Sequence, residues 1–387
     1  MYNLLQIIFI VSVSLIIYTY ALYPFIVIIL SKIFKKSNLG TTENFQPNVA
    51  IIMAAYNEDK IISQKLDSIF NTNYPLNKIK IYIGNDSSTD NTELIIKNYQ
   101  QKHENITIVN FKARSGKIKI INELYKLVTE PVLIFTDANV LFTTNTINNL
   151  ISPLNTTTVA TAAKIIKTIK NANGIAFQEI EYLNYENKIK LAESKLFKTV
   201  IGIEGGCFAI NKTYFPTIPD NFIVDDFYVT LSIIKKHKNI SFAFNAICYE
   251  DTSTQSDVEF KRKVRISTGN FQNLFAFKSL LAQFWRGSVL AYISHKVIRW
   301  NVPFLMLISL LTTAILALNS KLYFLLFFAQ LILIQIAVIV NLFNIKFSLL
   351  KFISHFYYMN FALFLGFKNY IKGVKTSIWE PTKRTIE

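Results

Sequence analysis

Asp137-Ala138-Asn139 closes an apolar run, Pro131 to Thr136, and sets two oxygen-bearing side chains two positions apart. Mg²⁺ and Mn²⁺ prefer oxygen ligands and commonly bridge a carboxylate to a diphosphate. The plainer role for the same residues is a loop cap. Further along, Asp225-Asp226 opens a predicted helix bearing Phe227, Val229, Leu231 and Ile234. Acidic residues in a first turn suit the helix dipole. Two adjacent carboxylates after Ile223-Val224 also pay for desolvation when half-buried, and such a site suits a general base. Arg262 and Arg265 follow on a predicted helix over 256–276. Three positions apart, they share a helix face. They could grip phosphate bidentately or bind lipid headgroups.

Earlier polar clusters have two readings each. Ala54-Ala55-Tyr56-Asn57-Glu58 can be a strand-to-helix turn capped by Asn57, or an aromatic face with polar groups for a base and ribose. Asn85-Asp86-Ser87-Ser88-Thr89-Asp90 can be a capped helix start, with Ser88 or Thr89 as cap. Asp86 could instead accept an imide N–H such as that of uracil. Arg114, Gly116 and Lys117 form a basic turn suited to clamping a diphosphate. No dinucleotide fingerprint or Walker motif is present, so a diphosphate must be bound without a glycine-rich loop. His103, His237, His295 and His355 lack ligand spacing. Cys207 and Cys248 are too few for a disulfide framework and fit a reducing compartment.

These residues need a scaffold. Short apolar runs at 48–55, 79–84, 106–111 and 132–135 alternate with helical spacing over 59–71, 90–101 and 117–128. Such alternation predicts an α/β fold with a mostly parallel sheet covered on both faces. Ligands of such sheets bind beyond the carboxyl ends of the strands. Tyr56-Asn57-Glu58, Asp86 and Asp137 all fall there.

The ends of the chain are different. Residues 1–31 carry no charged side chain, and the uncharged stretches 300–320 and 322–345 lie near the C-terminus. About 20 apolar residues suffice to cross a bilayer. The first stretch is too long, and lacks the basic start and cleavage site, for a signal peptide. The shorter stretch 352–367 suits either a span or the interface. Lys32, Lys35 and Lys36 follow the first span, and Arg286, Lys296 and Arg299 precede the second. Lys368, Lys372, Lys375, Lys383 and Arg384 mark the tail. Basic flanks place the middle and the tail in the cytoplasm and the N-terminus outside. The expected division is a transmembrane helix at 1–33, a cytoplasmic catalytic domain at 45–280 and a membrane region at 281–387. The net charge of +16 fits a lysine-rich surface near anionic lipid. No nucleic-acid motif accompanies it.

Taken together, these residues resemble the family-two inverting glycosyltransferases, in particular the membrane-integrated branch of hyaluronan, chitin, cellulose and poly-N-acetylglucosamine synthases. The matching elements, in order, are Ala55-Tyr56-Asn57-Glu58, Asn85-Asp86 to Asn91-Thr92, Gly116-Lys117, Asp137-Ala138-Asn139, Gly205-Gly206 and Asp225-Asp226. The resemblance covers roughly 45–300. It implies a GT-A fold, a nucleotide-sugar donor such as a UDP-sugar, a divalent metal at Asp137 and Asn139, and a glycan or lipid-linked acceptor. It implies donor contacts from Ala55, Tyr56, Glu58, Asp86, Lys117 and Asp137. Asp226 would be the base beside Asp225, and Gly205, Gly206, Arg262 and Arg265 would face acceptor and diphosphate. Two positions depart from the pattern. Asn139 ends the metal motif in place of an acid. Ile266 stands where the processive synthases carry a Trp for the acceptor sugar. The tail Trp379-Glu380-Pro381-Thr382-Lys383-Arg384 also looks like this branch. A non-catalytic membrane scaffold would be expected to have lost Asp86, Asp137 or Asp226, and all three are present. A transporter fits poorly with a long polar middle and uncharged spans.

Overall fold

The structure is a computed structural model that describes residues 1–34, 45–168, 175–251, 256–343, 345 and 347–374. It divides into two compact units. One contains 1–30, 172–183 and 255–373, and the other 31–171, 184–254 and 374–387. Lys35, Lys36, Lys346, Lys375 and the motif at 379–384 lie outside the described residues.

The α/β unit is built on one eight-stranded sheet. Its strands are β1 Val49–Ala55, β2 Ile79–Asn85, β3 Ile106–Asn110, β4 Val132–Thr136, β5 Val140–Phe142, β6 Thr158–Thr168, β7 Cys207–Asn211 and β8 Asn239–Asp251. The order is β3-β2-β1-β4-β7-β6-β8-β5. The first four strands pair in parallel, as alternation predicts. The expectation of a mostly parallel sheet fails in the other half. There β7 runs antiparallel to both β4 and β6, β5 runs antiparallel to β8, and β6 and β8 are parallel, which makes the sheet mixed. Beyond β4, β5 follows after a tight turn, and the helices Thr146–Ile151, Ile175–Phe197 and Asp225–Lys235 separate the later strands. Even so, β7 enters between β4 and β6 and runs antiparallel to both.

Both faces of the sheet are covered. Val49, Ile51 and Met53 of β1 join one core with Ile62, Leu66 and Ile69 of the helix Ile62–Phe70. Ala50 and Ile52 join the other with Ile118, Ile121 and Leu124 of the helix Lys117–Leu127. The chain leaves β1 toward β2 and β3, then returns to its other side for β4. This puts the switch point, where such sheets bind ligands, at the ends of β1 and β4. Gly84 in β2 lets the helix Lys117–Leu127 approach closely. A Cβ there would lie 2.2 Å from Cγ2 of Ile120.

The helical unit begins with Tyr2–Ile17 and Tyr23–Ile33, joined by a π-turn at Tyr18–Leu22. Pro24 cannot donate a helical hydrogen bond and crowds the carbonyl four residues back, which loosens the turn before it. Among the described residues, Tyr2–Ile33 and Lys321–Leu342 are long and apolar enough to cross a membrane. A third span results if Gly287–Trp300 and Val302–Leu316, bent by 59°, count as one. The stretch 352–367 falls in the helix Ser348–Ile371, which packs on Ser256–Ala276. Phe275 stacks on Tyr370 at 5.0 Å, and Ser267 Oγ donates to the Leu363 carbonyl at 3.1 Å.

Gly84→Ala is expected to destabilise the α/β unit by about 1–3 kcal/mol, the usual cost of an extra carbon in a filled core. Thermal unfolding of the purified chain checks this, and the midpoint should fall by several degrees.

Candidate active site

Two polar clusters sit at the carboxyl edge of the sheet. The first surrounds Asp86, just past β2. Its Oδ1 accepts the Ser115 N–H at 2.6 Å, and its Oδ2 accepts Arg114 Nε at 3.1 Å and the Gly116 N–H at 3.2 Å. Asp86 thereby folds the basic turn that begins the helix Lys117–Leu127. A carboxylate has about four acceptor sites, so one remains for a ligand donor. The Arg114 guanidinium lies 3.4 Å from the centroid of the Tyr56 ring. Tyr56, Arg114 and Asp86 form one patch of an aromatic plane, a cation and an anion.

The turn after β1 is latched to the turn after β2. Asn57 holds a positive φ of 52°. Its N–H donates to Ser88 Oγ at 3.1 Å, and its Oδ1 accepts the Thr89 N–H at 2.8 Å. The Glu58 N–H donates to Thr92 Oγ1 at 2.8 Å. Asp90 accepts from the N–H groups of Thr92 and Asp59. Ser88 and Thr89 therefore do not cap the helix Thr92–Lys102. The N-cap is Asn91, whose side chain makes no capping bond, and Asp90 before it accepts the Thr92 N–H at 3.0 Å, while Asn57 engages both hydroxyl-bearing residues.

The second cluster gathers three carboxylates around Lys117. Its ammonium donates to Asp137 Oδ1 at 2.8 Å and lies 3.6 Å from Asp225 Oδ2. Burial alone would lower the Lys117 pKa, but Asp137 and Asp225 outweigh it and hold the ammonium well above its ordinary range. Asp226, beside Asp225 at the start of the helix Asp225–Lys235, accepts the Gly205 N–H at 2.7 Å and the Phe227 N–H at 2.6 Å. Burial, and then the adjacent Asp225 carboxylate, push Asp226 up to about 7 against the pull of Lys117 and of these N–H groups. Such a carboxyl takes and gives a proton near neutrality, which is the property a general base needs.

Gly205 and Gly206 lie close against other side chains of the protein. A Cβ on Gly205 would lie 3.0 Å from Asp226 Oδ2, and one on Gly206 would lie 2.5 Å from Cδ1 of Ile165. Asn139 is buried, and its Nδ2 donates to Glu250 Oε1 at 3.3 Å. Arg262 and Arg265 belong to the helical unit, on the helix Ser256–Ala276, where Arg262 pairs with Glu259 at 3.2 Å. Sequence reasoning did not find Glu250, which comes from β8, beyond the last strand that alternation could place.

With this geometry in view, residues 50–218 match the family model for glycosyl transferase family 2, which supports a family 2 glycosyltransferase. The chain is 25% identical over 249 residues to "Probable glycosyltransferase YdaM" of Bacillus subtilis, with 62% of this chain and 58% of that one covered. It thus spans less than two thirds of that relative's length. It is 24% identical over 298 residues to a poly-beta-1,6-N-acetyl-D-glucosamine synthase of Staphylococcus epidermidis, covering 70% of each. Among solved structures, a mannosyltransferase from Pyrobaculum calidifontis, in complex with GDP-Man and Mn²⁺, superposes with a TM-score of 0.68. It is 18% identical, with 94% of this chain and 99% of that one covered. That likeness shows the fold, a Rossmann-like GT-A fold on a mixed sheet.

Asp226 yields a pH prediction. Its folded pKa of about 7 lies above the unfolded value of about 3.9. Its contribution to stability is therefore full below the unfolded value and lost as pH rises through about 7. Asp226→Asn should become progressively more stable relative to the unaltered chain between about pH 4 and about pH 7 and level off above it. Paired thermal melts check the difference, and a constant gap across that range would refute the shift.

Proposed function

We propose that the chain is a membrane-bound inverting glycosyltransferase. It moves a sugar from a nucleotide sugar, with UDP as the nucleotide, to a polysaccharide or lipid-linked glycan. The observation that carries this reading is Lys117 bridging Asp137 and Asp225 beside Asp226, which puts a diphosphate-facing cation and a titratable base side by side. The Tyr56–Arg114–Asp86 patch supports a base site. The family match and the named relatives support the reaction class.

In the proposed mechanism the base packs against Tyr56, and Asp86 accepts its imide N–H. Asp226 takes the proton of the acceptor hydroxyl. The hydroxyl oxygen bonds to the anomeric carbon as the bond to the diphosphate oxygen breaks on the opposite side, which inverts that carbon. Lys117, already a firm cation, faces the charge that develops on the diphosphate. By the resemblance, Arg262 and Arg265 are proposed for the same charge.

The residues fit a divalent metal that arrives with its substrate. Among the described residues no group of three His, Cys, Asp or Glu side chains forms a metal cluster. Mg²⁺ is commonly held by one or two carboxylates together with substrate phosphates. Lys117 engages only Oδ1 of Asp137, and Asn139 spends an amide N–H on Glu250, which leaves Asp137 Oδ2 and the Asn139 oxygen as ligands. A bound metal would supply Lewis-acid neutralisation of the diphosphate.

Membrane attachment is supported by the apolar helices and by their polar contacts. Ser309 Oγ donates to Gln330 Oε1 at 3.0 Å, and Gln330 Nε2 donates to Thr313 Oγ1 at 3.0 Å. Side chains of this kind join helices where no water competes.

Two measurements test the reading. Transfer from a panel of UDP- and GDP-sugars by purified membranes should stop in excess chelator and return with Mg²⁺ or Mn²⁺; full activity in chelator removes the metal. Asp226→Asn should lower turnover by about 10²–10⁴-fold with UDP binding kept, as loss of a positioned base does, and Asp225→Asn should cost less. Near-normal turnover in Asp226→Asn would sink the assignment.

A further inference from the structure

One buried cation has no part in the mechanism above. Lys65 lies on the helix Ile62–Phe70, and its side chain is wholly buried. Its ammonium donates to Thr136 Oγ1 at 2.9 Å and to the carbonyl oxygen of Val140, and sits 3.6 Å from the centroid of the Phe142 ring. Its two acceptors stand on either side of Asp137-Ala138-Asn139. Thr136 Oγ1, while accepting from Lys65, has the carbonyl of Gly206 as its nearer acceptor at 3.1 Å and its neighbour Asp137's carbonyl at 3.3 Å. The Gly206 carbonyl accepts the Asp137 N–H at 3.1 Å. One residue upstream, the Gly205 N–H holds Asp226. Three residues after Lys65, Ser68 Oγ accepts the Phe142 N–H at 3.1 Å and fixes the far end of the same segment.

This position is costly for a lysine. Positions 62, 66 and 69 of the helix carry Ile, Leu and Ile and are fully buried, and 65 belongs to the same stripe. An apolar side chain would fill the space. Taking an ammonium out of water costs several kcal/mol even after relaxation, and burial pushes this amine down to about 8 despite the thiols of Cys207 and Cys248 and the Asp137 carboxylate nearby. What lysine adds over methionine is directed N–H donors, and Thr136 Oγ1 and the Val140 carbonyl, which accept from it, lie in the segment that carries Asp137.

We propose that Lys65 is a positioning residue that ties the Asp137 turn to the Gly205-Gly206 loop, and so fixes the diphosphate-facing carboxylate and the Asp226 base relative to each other. It acts through Thr136, Val140 and Gly206 and touches neither donor nor acceptor. Its effect on donor binding rests on the glycosyltransferase reading; the tie itself does not.

The test is amide hydrogen exchange on the full chain in detergent micelles, without ligand, for Lys65→Met and Thr136→Val. Lys65→Met should speed exchange about tenfold or more in peptides covering 136–142 and 203–208, with β1, β2 and β3 changed less than about twofold. Thr136→Val removes the hydroxyl relay but keeps the bond to Val140, so it should speed 203–208 and spare 139–142. Binding of UDP with Mn²⁺ by calorimetry should weaken about 10–100-fold in Lys65→Met, as for losses behind metal ligands. Exchange that rises evenly over the whole sheet would overturn the proposal, and so would unchanged exchange in both peptides. If Lys65→Met does not fold, unchanged exchange over 203–208 in Thr136→Val overturns it alone. If the unaltered chain binds no UDP with Mn²⁺, the donor reading fails while the exchange pattern still decides the role of Lys65.

Discussion

The site depends on one ammonium among three carboxylates. Asp137, Asp225 and Asp226 come from two separate segments, and their mutual repulsion would force them apart or leave them protonated if nothing lay between them. Lys117 removes that conflict by bonding to Asp137 and approaching Asp225. It is also the first residue of its helix, so its backbone position is set by the Gly116 turn that Asp86 folds. The Asp86 end and the Lys117 end of the site are therefore mechanically linked. Asp86 shapes the turn, the turn places Lys117, and Lys117 holds the carboxylates. The same balance of charges explains why two neighbouring aspartates differ. Asp225 lies toward the ammonium, while Asp226 is half-buried against backbone N–H groups and is pushed up to about 7.

Much of this is legible in the sequence where local pattern and tertiary structure agree. Strand periodicities placed β1 to β4 within a residue, because these strands are buried on both faces and read as apolar runs, and helical spacing placed the helices between them within about three residues, the helix expected from 59 beginning at Ile62. The polar clusters at their ends fall at the sheet edge for the same reason. Legibility stops at β4. β5 is three residues long, β6 and β8 mix polar with apolar positions, and β7 pairs antiparallel although the helix Ile175–Phe197 precedes it. Glu250 and the bond it accepts from Asn139 were hidden accordingly. Lys65 was hidden in another way. A charged residue in an apolar stripe reads as a solvated interruption, and only three-dimensional neighbours show that its charge is enclosed. The cap expected from Ser88 or Thr89 failed because both were claimed by Asn57, a partner thirty residues away.

The helical unit uses polarity sparingly and inwardly. Arg299 is buried, with one guanidinium nitrogen donating to the Tyr182 hydroxyl at 3.1 Å and another to the Thr19 carbonyl at 3.3 Å. The π-turns at Tyr18–Leu22 and Ile293–Val297 meet through Tyr18 and Ser294, whose hydroxyls lie 2.9 Å apart. Irregular backbone is tolerated at such a place because neighbouring helices supply the partners that the loosened turn gives up.

The antiparallel return of β7 along β4 has a consequence for how the molecule is made. β1, β2 and β3 join through short crossovers, whereas Val49 of β1 meets Val132 of β4, and Thr136 meets Cys207, only after some seventy or more residues have been laid down. Loop closure over such a distance costs entropy before any contact repays it. During synthesis from the N-terminus, the pocket framed by Tyr56 and Asp86 has all its residues in hand before Gly205 and Asp226 have left the ribosome. The turn that joins Tyr56, Arg114 and Asp86 can thus form before the carboxylate pair at 225–226 exists to be held by Lys117.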